Sequence, residues 1–378
     1  MTECTICLLN NIEDSVVIEP SGICDICIKI DKLQAEYGTG TQKGIKQLNL
    51  IVKKIKEKGK GKKYDCLIGV SGGTDSSYLV HLSKELGLKP LAFHYDNTWN
   101  SAIASMNIEK ILSKLDIDLI TYVVDNKEID DLILSFFYAG VPELDASTDL
   151  AFAYLLRKTA RLHGINYILE GHSFKEEGIT ALGKNYFDGR YIKDIHSKYG
   201  ALPLKSYPLM TLRKFLYESI FGKVKFIRPL WYLEYDKNAA KKLLYEKYNW
   251  LDYGGHHLEN GITKYLHSEY LPRKFNIDMR KNVLSARIRS KKITKYVATS
   301  EIKSSHNAAL EAKEYFQKRL ELNDETYTAL IESTPKFWKQ FKNYKKIFEI
   351  LKPLFFILSK KNIVTDSFYI KYCIKAGK

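Results

Sequence analysis

Tyr64-Asp-Cys-Leu-Ile-Gly-Val-Ser-Gly-Gly-Thr-Asp-Ser-Ser-Tyr-Leu-Val80 is the stretch whose reading decides the fold. It reads as a buried strand, a tight glycine turn and then a helix. Leu67, Ile68 and Val70 form an apolar run of the length a central parallel strand requires. Ser71, Gly72 and Gly73 make the turn, and Asp75, Ser76 and Ser77 bring an acid and hydroxyls to the helix start. Backbone N–H groups exposed at a helix N-terminus make a ready anion site. The glycines let an anion approach closely, and Ser71, Ser76 and Ser77 add hydroxyl donors. Asp75 repels phosphate unless a divalent cation lies between them, so Mg²⁺ is implied. The loop is not a Walker A loop, which needs a longer glycine-rich span closing on Gly-Lys-Ser/Thr. An ordinary strand–turn–helix with serine capping is the plainer alternative.

The chain around this stretch has 378 residues, enough to bury a sizeable core and to hold more than one domain. Its 45% hydrophobic and 27% charged residues describe a soluble globular protein. Lys+Arg 59 against Asp+Glu 44 leaves +15, which suits a phosphorylated or acidic ligand or nucleic acid and does not choose between them. Met1-Thr-Glu-Cys has neither the basic nor the apolar region of a signal peptide. Leu351 to Leu358 is too short to span a bilayer and is interrupted by Lys352 and Pro353. The expectation is a cytoplasmic enzyme with no membrane partner.

Four of the six cysteines lie near the start: Cys4-x2-Cys7, sixteen residues, then Cys24-x2-Cys27. The spacing matches a structural zinc knuckle, in which two short turns each offer two thiolates to a tetrahedral Zn²⁺. Disulfides and an iron–sulfur or redox centre are the alternatives. So small a segment can hardly fold without its metal. Leu48, Ile51, Val52 and Ile55 then fall at helical spacing and lead into the basic run Lys53 to Lys63, read as a solvated helix and linker, with a nucleic-acid- or phosphate-facing patch as the alternative.

Beyond the glycine turn an α/β rhythm continues. Leu91–Asp96, Leu119–Val124 and Tyr167–Gly171 read as strands, and Met106–Leu115 and Asp145–His163 as helices. The fold class is therefore α/β, a doubly wound parallel sheet. Ligands of such sheets sit beyond the strand carboxyl ends, where the Ser71–Ser77 turn, the Asp96–Ser101 turn and the Gly171 turn converge. Tyr186–His196 and Phe226–Trp231 are rich in aromatic and basic residues, which suit either a substrate site or packing. Gly254-Gly255 followed by His256, His257 and Glu259 makes either a metal or acid–base cluster or hydrogen-bonded structural residues. Basic amphipathic helices fill the rest, and Cys373 reads as a packed thiol. The division expected is a knuckle over 1–36, a basic helix and linker over 37–63, an α/β domain over 64–255 and a helical region over 256–378.

Ser71-Gly-Gly-Thr-Asp-Ser76 resembles the PP-loop of the ATP pyrophosphatases (adenine nucleotide alpha hydrolase-like fold). Those enzymes cleave ATP between its α and β phosphates, adenylate a substrate oxygen and let a nucleophile displace AMP. On that resemblance Asp96 and Asn97 become nucleotide contacts, with plain turn formation as the alternative. Gly171-His-Ser-Phe-Lys-Glu-Glu177 looks like the second phosphate-side loop of the amide-forming members, with Glu177 joining Asp75 at Mg²⁺ and Lys175 meeting a phosphate oxygen. The family often has Asn where this chain has Ser173.

The cysteine knuckle, Val70–Ser77, Asp96-Asn-Thr-Trp-Asn-Ser101, Tyr253-Gly-Gly-His-His-Leu-Glu259 and Tyr270-Leu-Pro-Arg-Lys-Phe-Asn-Ile-Asp278 together resemble the N-acetyl sugar amidotransferase family of surface-glycan and pseudaminic acid biosynthesis. The resemblance implies use of ATP, an acetamido-sugar substrate, an acetamidino product and a separate glutaminase subunit supplying ammonia. It also implies catalytic roles for Asp75, Lys175, His256 and His257. The family commonly has Gly-Gly-Lys-His where this chain has Gly254-Gly255-His256-His257. The rival is a PP-loop tRNA-modifying enzyme, and only under that reading is nucleic acid a partner. Against it, Cys66 alone lies in the α/β domain, on the strand entering the loop.

Overall fold

The computed structural model describes residues 2–12, 16–179, 186–255, 258–304, 308–361, 363–365 and 368–374. Five parallel strands form one sheet: β1 (Cys66–Gly69), β2 (Pro90–Asp96), β3 (Leu119–Val123), β4 (Tyr167–Leu169) and β5 (Lys225–Ile227), in the order β3-β2-β1-β4-β5. Ile68 pairs with Ala92 on one side and Leu169 on the other, so β1 lies inside the sheet. The chain winds outward from β1 to β3 and returns across β1 to start β4. The order reverses between β1 and β4, and ligands of open α/β sheets bind at such a crevice.

Both faces of the sheet are covered, and β1 shows why its residues read as a continuous apolar run. Leu67 points into one core, with Phe93, Ile168 and residues of the helices Asn126–Ala139 and Ala146–Leu162. Cys66 and Ile68 point into the other, with Val80, Ile111 and Leu244 from the helices Thr74–Glu85, Ala102–Leu115 and Lys237–Tyr248. Alternate side chains serve opposite faces, and both faces are dry. The helix Gln42–Lys58 joins the second core through Leu48, Val52 and Ile55, while its lysines stay outside.

The four strands expected from the sequence are present with ends displaced by one or two residues, and β5 is an addition. Its three residues at the sheet edge are too few for a period to show in sequence. The C-terminal helices are not an appendage. Tyr265, Tyr270, Phe316 and Tyr327 enter the same core as Phe137, and the Tyr265 and Phe316 rings stack at 3.8 Å. The N-terminal module packs Ile26, Ile30 and its cysteines against Phe174 and Trp231. No helix among the described residues is long and apolar enough to cross a membrane.

Candidate active site

The glycine turn follows β1 at the reversal point. Gly72 has φ +78, and a Cβ there would lie 2.2 Å from the Ala104 carbonyl oxygen, so glycine is required both by conformation and by space. Ser71 Oγ accepts from the Gly73 N–H (3.2 Å), and Ser76 Oγ accepts from the Ser71 N–H (3.3 Å) and donates to the Gly73 carbonyl (3.2 Å). From behind, the buried Trp250 indole N–H reaches both the Gly72 carbonyl and Ser77 Oγ at 3.2 Å. Ser77 is thus engaged on the buried side, while Ser71 is exposed and Ser76 half-buried at the open side. Thr74 Oγ1 is buried here without a hydrogen-bond partner.

The two acids singled out from the sequence converge. A Cβ on Gly171 would stand 2.9 Å from the Asp75 carbonyl oxygen, so the loop after β4 touches the start of the helix after β1. Asp75 accepts from the Tyr235 hydroxyl and from Lys237 Nζ, each at 2.6 Å. The same Nζ is 3.9 Å from Glu177 Oε1, and Glu177 Oε2 is 3.9 Å from His172 Nε2. Burial works against the Lys237 charge, but Asp75 and Glu177 outweigh it and raise its pKa, so it stays an ammonium. Burial first, then Asp75, pushes the Tyr235 phenol up, so it stays a donor. Two nearly buried carboxylates facing one cation could supply two of the oxygen ligands that a divalent ion takes, the others coming from phosphate and water.

Lys237 was not singled out from the sequence. It follows Asp236, which caps the helix Lys237–Tyr248, and nothing local distinguishes it from the lysines around it. Lys175 instead pairs with Glu234 at 2.7 Å, and its carbonyl accepts from Ser290. Glu176, next to Glu177, is buried and accepts from the Lys237 N–H and from Lys292 Nζ.

On the other side of the loop, Asp96 Oδ1 accepts from the Thr98 N–H (2.7 Å) and Asn97 Oδ1 from the Trp99 N–H (3.1 Å). Both are turn formers, as the plainer reading has it. Asn97 also lines a cavity of about 280 Å³ with Ser71, His94, Thr148 and Glu259, directly beside the glycine turn. Asp96 lines a different hollow, bounded by β2, β3 and the helix Ala102–Leu115.

Tyr253, Glu259 and Asn260 reach the loop and its neighbouring turn from a later segment. The Tyr253 hydroxyl accepts from the Thr74 N–H (3.2 Å), and Glu259 Oε1 accepts from Ser71 Oγ (3.3 Å). Asn260 Nδ2 bridges Asn97 and Asn100 at 2.8 and 2.9 Å. His256 and His257 lie outside the described residues. Tyr186 and Tyr191 turn out to be packing residues, the latter donating to the buried Glu143 at 2.9 Å.

A second cavity, about 470 Å³, opens beyond Lys237 and Glu176. Gly254, Gly255 and Leu258 line one side, and the helix Arg280–Arg289 presents Arg280, Val283, Leu284 and Arg287 on the other. Its cations are mostly spent on neighbours. Lys292 pairs with Glu176 and Asp236, Lys241 with Asp252, and Arg280 with Asp278. Among the described residues the Arg287 guanidinium has no such partner.

The four N-terminal cysteines form a closed cage. The Cys4–Cys27 and Cys7–Cys24 sulfurs are each 3.8 Å apart, and all four lie within 4.8 Å of one another. A tetrahedron with Zn–S arms of about 2.3 Å has sulfur–sulfur edges of about 3.8 Å, whereas a disulfide needs about 2.05 Å. The donor set fits a single tetrahedral Zn²⁺.

Residues 259–354 match the family model described as LPS biosynthesis protein WbpG-like, C-terminal domain. Over 172 residues the chain is 27% identical to the uncharacterized protein MJ1599 of Methanocaldococcus jannaschii, covering 45% of this chain and 58% of that one. It therefore spans little more than half the length of that curated relative. Among solved structures, NMN synthetase from Francisella tularensis overlaps at a TM-score of 0.33 with 12% identity, covering 72% of this chain and 93% of that one. The NH3-dependent NAD synthetase from Campylobacter jejuni overlaps at 0.32 with 14% identity, covering 77% and 97%. Overlaps this low carry no assignment of chemistry. The family-model match covers the Tyr270–Asp278 segment on which the sequence resemblance partly rests, but of Tyr253–Glu259 only the last residue.

Proposed function

We propose that the chain is an ATP-dependent N-acetyl sugar amidotransferase that converts an acetamido group into an acetamidino group for surface-glycan synthesis. The observation that carries the reading is the meeting of the Ser71–Ser77 turn with Asp75 and Glu177 at the sheet's reversal point. An acetamido oxygen is a poor leaving group, so ammonia cannot replace it directly. Attack of that oxygen on the α-phosphorus of ATP expels pyrophosphate and leaves an imidoyl adenylate. Ammonia then adds to the imidoyl carbon, and the C–O bond breaks as AMP departs with one proton released to solvent.

Positioning and charge neutralisation are the protein's contributions. The Ser71 and Ser76 hydroxyls would meet the departing pyrophosphate, and the Gly73 and Thr74 N–H groups, which here donate to Ser71 Oγ and the Tyr253 hydroxyl, would exchange those partners for phosphate oxygens. Asp75 and Glu177 would hold Mg²⁺, which when bound neutralises phosphate charge. Lys237, then displaced from between them, stays within reach as a second cation. The 280 Å³ cavity beside Asn97 suits the adenosine, and the 470 Å³ cavity suits the sugar. The Arg287 fork, which has no carboxylate partner among the described residues, favours a sugar with a carboxylate or phosphate.

Ammonia would come from a separate glutaminase subunit. Four of the six cysteines are in the cage, and burial pushes the Cys66 thiol well up and the Cys373 thiol up to about 11. None is a poised nucleophile.

The test is pyrophosphate release by the purified protein with Mg-ATP and ammonium, offering nucleotide-linked hexosaminuronates and pseudaminic-type acids in one arm and bulk tRNA in the other. Sugar-dependent pyrophosphate with a product in which NH replaces O, read by mass spectrometry, is the expected result. Asp75→Ala should abolish it. Stimulation by tRNA alone would sink the reading and favour tRNA modification.

A further inference from the structure

The helix Arg280–Arg289 has two working faces. Arg280, Val283, Leu284 and Arg287, at i, i+3, i+4 and i+7, line the 470 Å³ cavity. Ser285 and Arg289, one turn apart on the other side, meet the cysteine module. Ser285 Oγ, fully buried, accepts from the Leu8 N–H at 3.2 Å, and Arg289 Nη1 donates to Cys27 Sγ at 3.5 Å. Arg289 Nε and Nη2 are buried with no hydrogen-bond partner. Just beyond the helix, Lys295 Nζ donates to the Cys4 carbonyl at 2.9 Å.

A guanidinium with two buried, unbonded donors and no carboxylate beside it is costly unless negative charge stands close. Among the described residues no carboxylate is paired with Arg289, and the anionic group it does contact is the sulfur cage, through Cys27. Four thiolates on a divalent ion carry a net double negative charge, and Arg289 with Lys295 is placed to offset it.

We propose that Arg289 is the outer-sphere partner of the cysteine-held metal and ties the cavity-lining helix to it, so that metal occupancy sets the position of the cavity wall. Arg289 is a positioning residue here. It touches a ligand of the metal and acts on the cavity through the helix it ends. The link to the metal stands apart from the proposed chemistry, while its consequence for the sugar rests on that reading.

The full-length zinc-loaded protein is titrated with a chromophoric chelator, which reads metal affinity without turnover. Arg289→Met should lower zinc affinity about 10- to 100-fold, the usual cost of losing an outer-sphere partner. Arg289→Lys should restore most of it, and Ser285→Ala, which removes a contact on the same face but no charge, should leave it within about threefold. Equal zinc retention by Arg289→Met and the wild type overturns the proposal, as does an equal loss in Ser285→Ala.

A second arm uses the wild type alone, so it survives if the variants fail to fold. Zinc removal should accelerate tryptic cleavage after Arg287 and Arg289 by at least about tenfold, because the helix loses its anchor. An unchanged cleavage rate at those bonds overturns the link between metal and wall. Neither arm depends on ATP or on any sugar, so failure of the amidotransferase reading shows up separately, in pyrophosphate release.

Discussion

The Ser71–Ser77 turn and the 470 Å³ cavity lie on either side of Lys237, yet they are built in opposite ways. The turn is made by backbone and short side chains from seven consecutive residues, laced to one another by hydrogen bonds of 3.2 to 3.3 Å. The cavity is made by side chains from segments as far apart in sequence as Glu176 and Arg287, each placed by packing on something else. A site made of backbone can be specified locally, because glycine conformations and hydroxyl spacing are local properties. A site made of distant side chains has no local signature.

The contrast is broken hardest at Gly72. A Cβ there meets the Ala104 carbonyl oxygen at 2.2 Å and is strained at φ +78. Gly72→Ala should therefore cut sugar-dependent pyrophosphate release by more than about 100-fold through displaced oxyanion donors, with the circular dichroism spectrum retained. A fully active variant would mean that this backbone does not hold the phosphates.

Lys237 and Lys175 test the second half of the comparison. Lys237→Met removes the second cation beside Asp75 and Glu177 and should lower turnover about 10- to 100-fold. Lys175→Met removes a pair whose Glu234 side is 61% exposed, and should change turnover by less than about threefold. Steady-state kinetics on the two variants decide which lysine serves the site; the reverse ranking restores the role that the sequence suggested for Lys175.

Glu143 sharpens the comparison with a smaller effect, away from both sites. It is 2% exposed, and burial pushes its carboxyl up to about 7 despite the Tyr191 hydroxyl and Tyr186 N–H that donate to it. The folded protein therefore holds a proton there that the unfolded chain has released. Stability falls as pH rises from the ordinary 4.5 towards 7, because the native state binds more protons across that window. Glu143→Gln should remove that slope and raise stability at pH 8 by roughly 1–3 kcal/mol relative to wild type, with little change at pH 4. Thermal melts at the two pH values check it, and a variant less stable at pH 8 would show that the charged form is the one the core prefers.

Legibility in the sequence follows the same division. Leu67–Val70 was readable as a central strand because both of its faces are dry, and Cys4, Cys7, Cys24 and Cys27 were readable as one cage because thiolate spacing is a short-range constraint. Asp75 and Glu177 could be paired only through the resemblance of their two loops to those of a known family, since nothing local ties one acid to the other. Lys237 could not, since a lysine after a helix cap looks like any surface lysine until Asp75 is folded beside it. Arg280–Arg289 was legible only as a basic helix. Its cavity face and its cysteine face both carry arginine, so no apolar stripe separates them.

By itself the sequence determined the parallel α/β sheet, the glycine turn after its central strand and the four-sulfur cage, because each rests on local periodicity, glycine freedom or ligand spacing. Only the tertiary structure decided which lysine joins Asp75 and Glu177, that Tyr186 and Tyr191 belong to the core, and that Arg289 faces sulfur while Arg287 faces the cavity. Those choices depend on which distant surfaces meet once the core closes. Charge and burial act there over a few ångströms of space, whatever the separation along the chain.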